Sequence, residues 1–577
     1  MTSAVAVESR DEPETPRPSR WQRLGLAVPA YVPALMIAIG GWQHRWMDED
    51  AFINLRIVDQ IFAGHGPVFN AGERVEASTS TLWIMVLVIG RAGFGALASM
   101  EWIALLASLG AAVGAFALAG KATRLVHRSD DGMVAPIGLI LVAAVAVVWD
   151  FSTSGLEMGL VWLWIAASWF VLVSAARTEE TDPVAGRKRF GLGVVLGLAP
   201  LVRPDLTLMM VCFLVAWFAL MRPRRIGFDL IAIFTLPVAY QIFRMGFYAT
   251  LVPTTALAKD AGGLHLGQGW KYATNFIGPY RLWLTAVLIA AAVVYRYRAN
   301  PDRRLAIATA AMLAAGLAHA LYITAIGGDY MHGRLLLPAL FALALPASLA
   351  VRPITKATAT HGARVVFGIG VAATMWAVVS VVAFRPQPLP KTYTLSQVSD
   401  WRAVSGAKIE PTDANPFGLD GNQAAAAYDR GVRGYFRITD KRPRPTLDSN
   451  AFVLTLGSIG VPAYDAGRRI WVVDIGGLAE PLAARTAPVP GRPAGHRKQI
   501  AEAWYDARFG AVAYDAKDTA ARRALTCGPI PGLLEAVDAP MNAGRFLSNL
   551  WHSVTYTTMR IPSDPVVAEQ KWCTPSG

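Results

Sequence analysis

The sequence predicts a polytopic α-helical membrane protein of about eleven transmembrane helices, followed by a C-terminal mixed α/β extracytoplasmic domain. Three observations carry that expectation. Of 577 residues, 54% are hydrophobic and only 16% charged, against about 25% charged in an ordinary soluble domain. Apolar runs long enough to cross a bilayer recur between residues 24 and 384. Beyond Arg385 the chain turns to Pro, Gly, Asp and Arg, with short strand-like pieces such as AFVLTLGSIG and RRIWVVDIGG.

Residues 1–23 read as a polar cytoplasmic arm by composition. The first apolar run, 24–41, has no small-residue cleavage site behind it and reads as a retained signal anchor. Further runs lie near 102–120, 133–149, 156–176, 190–201, 206–221, 226–247, 282–295, 305–326, 335–351 and 365–384. The net charge of +13 is no argument for a nucleic-acid partner, because excess Lys and Arg on a membrane protein mostly report topology. Basic clusters at Arg17/Arg20/Arg23, Lys121/Arg124/Arg128, Arg187/Lys188/Arg189, Arg222/Arg224/Arg225, Arg296/Arg298/Arg303/Arg304 and Arg352/Lys356/Arg364 all fall inside on one condition. The segment 81–95, short and interrupted by Gly90, Arg91 and Gly93, must lie in the interface or re-enter rather than cross. The expected order is then a transmembrane domain over 24–384, whose residues 42–101 form the first extracytoplasmic loop with interfacial helices, and a soluble domain over 385–577. Cys212 sits in an apolar run, whereas Cys527 and Cys573 fall in the polar tail and can pair there if it is extracytoplasmic.

This topology brings five unusual polar segments to one face: WMDEDAFINLR (46–56), DFSTSGLE (150–157), VRPD (202–205), VPTTALAK (252–259) and GGDYMHGR (327–334). Ionisable groups at the membrane are costly, so their convergence marks a functional site; the competing reading of any one segment is a solvated loop end. Asp48, Glu49 and Asp50 open a helix, where Asp48 also suits an N-cap. Three crowded acids do not share one pKa, so one can serve as base or nucleophile while another binds a cation or a sugar hydroxyl. His332 stands between Asp329 and Arg334, and is either a solvated loop residue or a proton-handling group. Arg334, Lys259 and Arg203 are outward cations that either snorkel to headgroups or clamp a phosphate.

Negative findings narrow the chemistry. The chain has no GxxxxGK[ST] loop, no HExxH and no CxxC pair. An outward site has no access to cytosolic ATP or nucleotide-sugars, so an activated sugar would arrive on a polyprenyl phosphate. A secondary transporter would show paired inverted repeats and midplane acids, and a non-catalytic scaffold leaves the five-segment convergence unexplained.

The ordered set DEDAFINLR, GHGPVFNAGERVEASTSTLW (64–83), SGLE, RPD, PTTALAK and GGDYMHGR, with the tail segment LGSIGVPAYDAGRRIWVVDIGGLAEPLAAR (456–485), resembles the GT-C membrane glycosyltransferases. Within them it is similar to the actinobacterial terminal arabinofuranosyltransferase family. The resemblance implies a GT-C fold in the plasma membrane with the active site outside. It implies a decaprenyl-phosphoryl-arabinofuranose donor and, as acceptor, the non-reducing ends of arabinan in arabinogalactan or lipoarabinomannan. The product would be a terminal β-(1→2) linkage made with net retention. On this reading Asp48, Glu49, Asp50 and His332 are the catalytic candidates, and Arg334, Lys259 and Arg203 bind the donor phosphate. Arg56, His65, Glu76, Glu157, Asp205, Asp329 and Tyr330 contact substrate. Many GT-C relatives have two adjacent aspartates where this chain has Glu49–Asp50, so the reacting acid stays open, as do the need for a divalent cation and the oligomeric state. The alternative within the same fold is a transferase for another polyprenyl-phosphate-linked sugar such as mannose.

Overall fold

A computed structural model describes residues 25–128, 133–178, 185–221, 226–259, 263–351 and 361–384. It also describes 452–573 apart from 469, 490–491, 493–494, 510–512 and 514, together with Ser19, Val398, Arg402 and Phe436–Arg437. The expected arm 1–23 (Ser19 apart), the basic clusters at 222–225 and at Arg352/Lys356, and nearly all of 385–451 lie outside the described residues.

The chain is a mostly helical, polytopic membrane protein. Among the described residues eight helices are long and apolar enough to cross a membrane: Gly25–Gln43, Met100–Val126, Met158–Arg177, Pro204–Met221, Ile226–Tyr248, Leu282–Ala299, Arg303–Ala325 and His361–Ala383. The other three expected runs fold as shorter pieces. Residues 133–149 become the strand Met133–Ala135 and the helices Ile137–Ala143 and Ala146–Thr153. Residues 190–201 fall in Ala185–Gly197 and the turn Ala199–Val202. Residues 335–351 become Leu337–Ala344 and the strand Leu349–Val351. Pro136, Pro200 and Pro346 stand at these breaks, each removing an amide donor that a continuous helix needs. The two strands pair antiparallel, Met133 opposite Val351. From that pair both broken segments run toward the polar loops that precede or follow them.

The helix Thr81–Phe94 has 14 residues, about 21 Å of rise against a hydrocarbon core of about 30 Å. It packs against the acidic helix Glu49–Phe62 and the long helix Met100–Val126.

In the C-terminal domain both expected strands form. Phe452–Leu456 and Ile470–Asp474 are parallel neighbours, with Phe436–Arg437 antiparallel on the far side of the first. Five helices follow: Glu502–Phe509, Ala516–Ala524, Ile530–Asp538, Ala543–Thr558 and Pro565–Trp572. Cys527 and Cys573 are disulfide-bonded, their Cα atoms 5.3 Å apart.

This domain is docked on the first loop by buried polar contacts. The Asn70 amide donates to the Val472 carbonyl (2.8 Å) and accepts from the Val472 N–H (3.1 Å), copying a strand neighbour. Arg508 pairs with Glu73 of the loop, with Glu480 at 2.6 Å and with Asp538 at 3.2 Å. The Arg56 guanidinium donates to the carbonyls of Ala463, Gly467 (3.0 Å) and Ile470 (2.8 Å) in the domain and to Phe69 in the loop (2.9 Å).

Candidate active site

The site is assembled from loop ends held by unusual backbone. Gly155 has φ +74°, and a Cβ there would lie 2.8 Å from Met47 and 3.0 Å from Ala51, so only glycine fits. Around it, the Ser154 carbonyl accepts from the Asp48 N–H (2.9 Å) and the Gly155 carbonyl from the Trp83 indole (3.0 Å). This fixes Glu157 beside the start of the acidic helix. On the opposite wall Gly333 (φ +67°) turns the chain into Arg334, and a Cβ there would meet Phe276 at 2.6 Å. The Tyr272 hydroxyl clasps this loop, donating to the Met331 carbonyl (3.1 Å) and accepting from the Leu335 N–H (2.9 Å). The Thr254–Ala258 turn hangs from the Glu76 carbonyl, which accepts the Thr254 N–H at 3.1 Å.

These elements enclose a polar cavity of about 40 Å³ lined by Asp50, Asn54, Ser78, Glu157, Lys259 and Arg334 among others, with Leu478 of the C-terminal domain closing one wall. Arg334 faces three carboxylates at loose range: Asp50 at 3.7 Å, Asp329 at 3.7 Å and Glu157 at 3.9 Å. Its Nε is buried and has no hydrogen-bond partner among the described residues. Burial disfavours its charge, but Glu157, Asp329, Asp50 and Asp48 outweigh that and hold the guanidinium firmly protonated. The Lys259 ammonium lines the same cavity and makes no hydrogen bond or ion pair among the described residues.

A second, apolar cavity of about 510 Å³ abuts the first, sharing Ala77 and Ser78. Ile57, Ile61, Ile84, Met85, Val88, Ile89 and Phe243 line it. Glu76 reaches its wall but is neutralised in place, accepting from Arg244 Nε (2.6 Å) and the Tyr240 hydroxyl (2.6 Å).

The three consecutive acids have three different placements. Asp48 is fully buried as the N-cap, accepting from the Asp50 N–H at 2.8 Å, and its Oδ2 has no hydrogen-bond partner among the described residues. Burial and the neighbouring Asp50 raise its pKa, against the pull of Arg334. Glu49 points into the C-terminal domain and accepts from the Gly460 N–H. Burial and Asp50 push it up to about 7. Of the three, Asp50 lines the cavity.

Other expected site residues sit elsewhere. Arg203 does not line the cavity; it bonds Glu157 at 2.8 Å and Asp205 at 2.9 Å, and Asp205 in turn holds His319 at 2.8 Å. The chain Glu157–Arg203–Asp205–His319 therefore orients Glu157. His332 is buried between Phe276 and Tyr280, its Nδ1 on Asn275 Oδ1 at 2.6 Å, and burial pulls its pKa down to about 4. It stands behind the Arg334 loop as a neutral imidazole. Asp329 is buried beside Arg334, and Tyr330 packs on His496 of the C-terminal domain at 4.8 Å. Arg56 is used on main-chain carbonyls, and His65 is exposed on Gln60 (2.7 Å). Neither lines the cavity. Among the described residues no three His, Cys, Asp or Glu side chains are grouped to hold a metal ion.

Sequence reasoning missed His319, Arg244, Arg508 and Leu478. His319 and Arg244 each interrupt an apolar helix, which is itself a signal, because an ionisable group there requires a partner.

The model of the AftB family C-terminal domain matches residues 421–571. A terminal β-(1→2)-arabinofuranosyltransferase of Corynebacterium glutamicum is 33% identical over 91% of this chain and 84% of its own. One of Mycobacterium tuberculosis is 32% identical over 94% of this chain and 96% of its own. No solved structure matches.

Proposed function

Because the chain belongs to the family of terminal β-(1→2)-arabinofuranosyltransferases, and so is a membrane glycosyltransferase, we propose the following reaction. Arabinofuranose passes from decaprenyl-phosphoryl-arabinofuranose to the non-reducing ends of cell-wall arabinan, at the extracytoplasmic face of the plasma membrane. The observation that carries this reading is the junction of the two cavities at Ala77 and Ser78. An apolar channel suits a polyprenyl chain, and it ends beside two cations and two carboxylates, the groups that glycosyl transfer from a phosphate requires.

In this reading the lipid phosphate lies against Lys259 and Arg334. As the glycosyl–oxygen bond breaks, negative charge grows on that phosphate in a water-poor site, where fixed cations stabilise the transition state strongly. Asp50 is the reacting carboxylate. It either takes the anomeric carbon as the phosphate leaves and is then displaced by the acceptor hydroxyl, or stabilises the cationic sugar while that hydroxyl enters from the phosphate face; in both routes the departing phosphate takes the hydroxyl proton. Asp48, with its raised pKa, holds the helix end, and Glu157 is steadied by Arg203.

Asp50→Ala should lower transfer from the lipid donor at least about a hundredfold, measured with purified donor and an arabinan oligosaccharide. Near-normal turnover in a folded Asp50→Ala protein would overturn the assignment. Donor competition with polyprenyl-phosphoryl-mannose tests the sugar. A cysteine reporter after Lys121 should be reached only from the cytoplasm and one after Arg485 only from outside.

A further inference from the structure

The helix Ala543–Thr558 of the C-terminal domain has three distinct sides. One side is packed: Phe546 sits over Gly246, Asn549 donates to the Gly246 carbonyl (3.1 Å), Ser553 is buried, and Thr557 meets the Leu251 N–H (2.8 Å). A second flank is polar, with Arg545, Ser548, His552 and Thr555. The third carries Leu547, Trp551 and Val554, spaced i, i+4 and i+7, and they are 65%, 80% and 53% exposed. An aromatic that open, flanked by aliphatic residues in one stripe, is unusual on a soluble domain.

The position of the stripe identifies what covers it. Val238, Ile242 and Gly246 lie on one face of the membrane helix Ile226–Tyr248, spaced i, i+4 and i+8. Val238 and Ile242 are exposed, whereas Gly246 is covered by Phe546. The face that meets lipid along the span is therefore taken over, at its end, by the helix Ala543–Thr558. The apolar stripe continues from a lipid-facing surface, and Trp is the residue that favours such a boundary.

We propose that this helix is an interfacial membrane anchor, with Leu547, Trp551 and Val554 inserted among the lipids of the leaflet on the domain's own side. The C-terminal domain is then a membrane-bound module at the end of the helix whose Tyr240, Phe243 and Tyr248 line the apolar cavity.

The full chain in phosphatidylglycerol nanodiscs tests this. Cys212 is the free cysteine. In a Cys212→Ala background Trp551→Cys, Leu547→Cys and Thr555→Cys are each labelled with nitrobenzoxadiazole. Labels at 547 and 551 should emit at shorter wavelength than at 555 and be quenched at least about twofold more by lipids spin-labelled near the headgroup. Equal, solvent-like signals at 551 and 555 would overturn the anchor. So would a shift at 551 that is insensitive to spin-labelled lipid, or one that appears only on adding arabinan oligosaccharide.

Discussion

Arg334 and Arg508 are both buried guanidiniums ringed by three carboxylates, and they are packed in opposite ways. Arg508 holds Glu73, Glu480 and Asp538 in direct hydrogen bonds. Arg334 stands 3.7–3.9 Å from Asp50, Asp329 and Glu157, too far for a hydrogen bond to any, and borders the polar cavity. A closed cluster satisfies its own charges and joins two parts of the chain. A slack one suits the lipid phosphate proposed for it above. Sequence pattern alone does not separate the two, since both are an arginine among acids; the distances do.

The sharpest way to break this comparison is to remove each arginine and read stability and activity separately. Arg508→Met leaves the buried Glu73 and Glu480, and the partly exposed Asp538, without their cation and should cost about 3–5 kcal/mol of stability. It should be seen as a lowered unfolding midpoint in detergent, with transfer per folded molecule little changed. Arg334→Ala should do the reverse, removing about 3 kcal/mol of transition-state stabilisation in kcat/KM with a smaller shift in the midpoint. Arg334→Lys should recover only part of that, because a point charge replaces a planar fork; full recovery would show that a mere positive charge suffices.

These predictions rest on residues that were legible to different degrees. Asp50, Glu157, Lys259 and Arg334 stand out because each ends or follows an apolar run and their segments converge on one face. Arg56 stood out for the same reason and yet serves the docking of the C-terminal domain, since its partners, the carbonyls of Ala463, Gly467 and Ile470, lie some four hundred positions away. The eight long helices were readable from apolar length, whereas the pairing of Met133–Ala135 with Leu349–Val351 depends on a contact that periodicity does not encode. Within DEDAF, three adjacent carboxylates receive three places from helix geometry: the cap, the side that meets the C-terminal domain and the cavity side.

The smallest expected effect concerns the middle acid. Glu49 is held up to about 7 in the folded protein, against 4.5 ordinarily. The folded state therefore binds its proton more tightly than the unfolded chain does. Its contribution is complete below about pH 4.5 and fades as pH rises through about 7. Unfolding midpoints of the wild type and Glu49→Gln at pH 5 and pH 8 should show a shallower decline in the variant; equal slopes would remove Glu49 from the account.

Leu478 has a consequence in time as well as in space. A ribosome delivers the acidic helix early and Leu478 more than four hundred residues later, together with the Gly460 amide that holds Glu49. A growing chain whose membrane helices are already inserted thus carries Asp50 without the wall that encloses the cavity. The cavity closes only when the last third of the polypeptide has been made and has folded back onto the first loop, so a prematurely terminated product keeps the charged residues but not the enclosure.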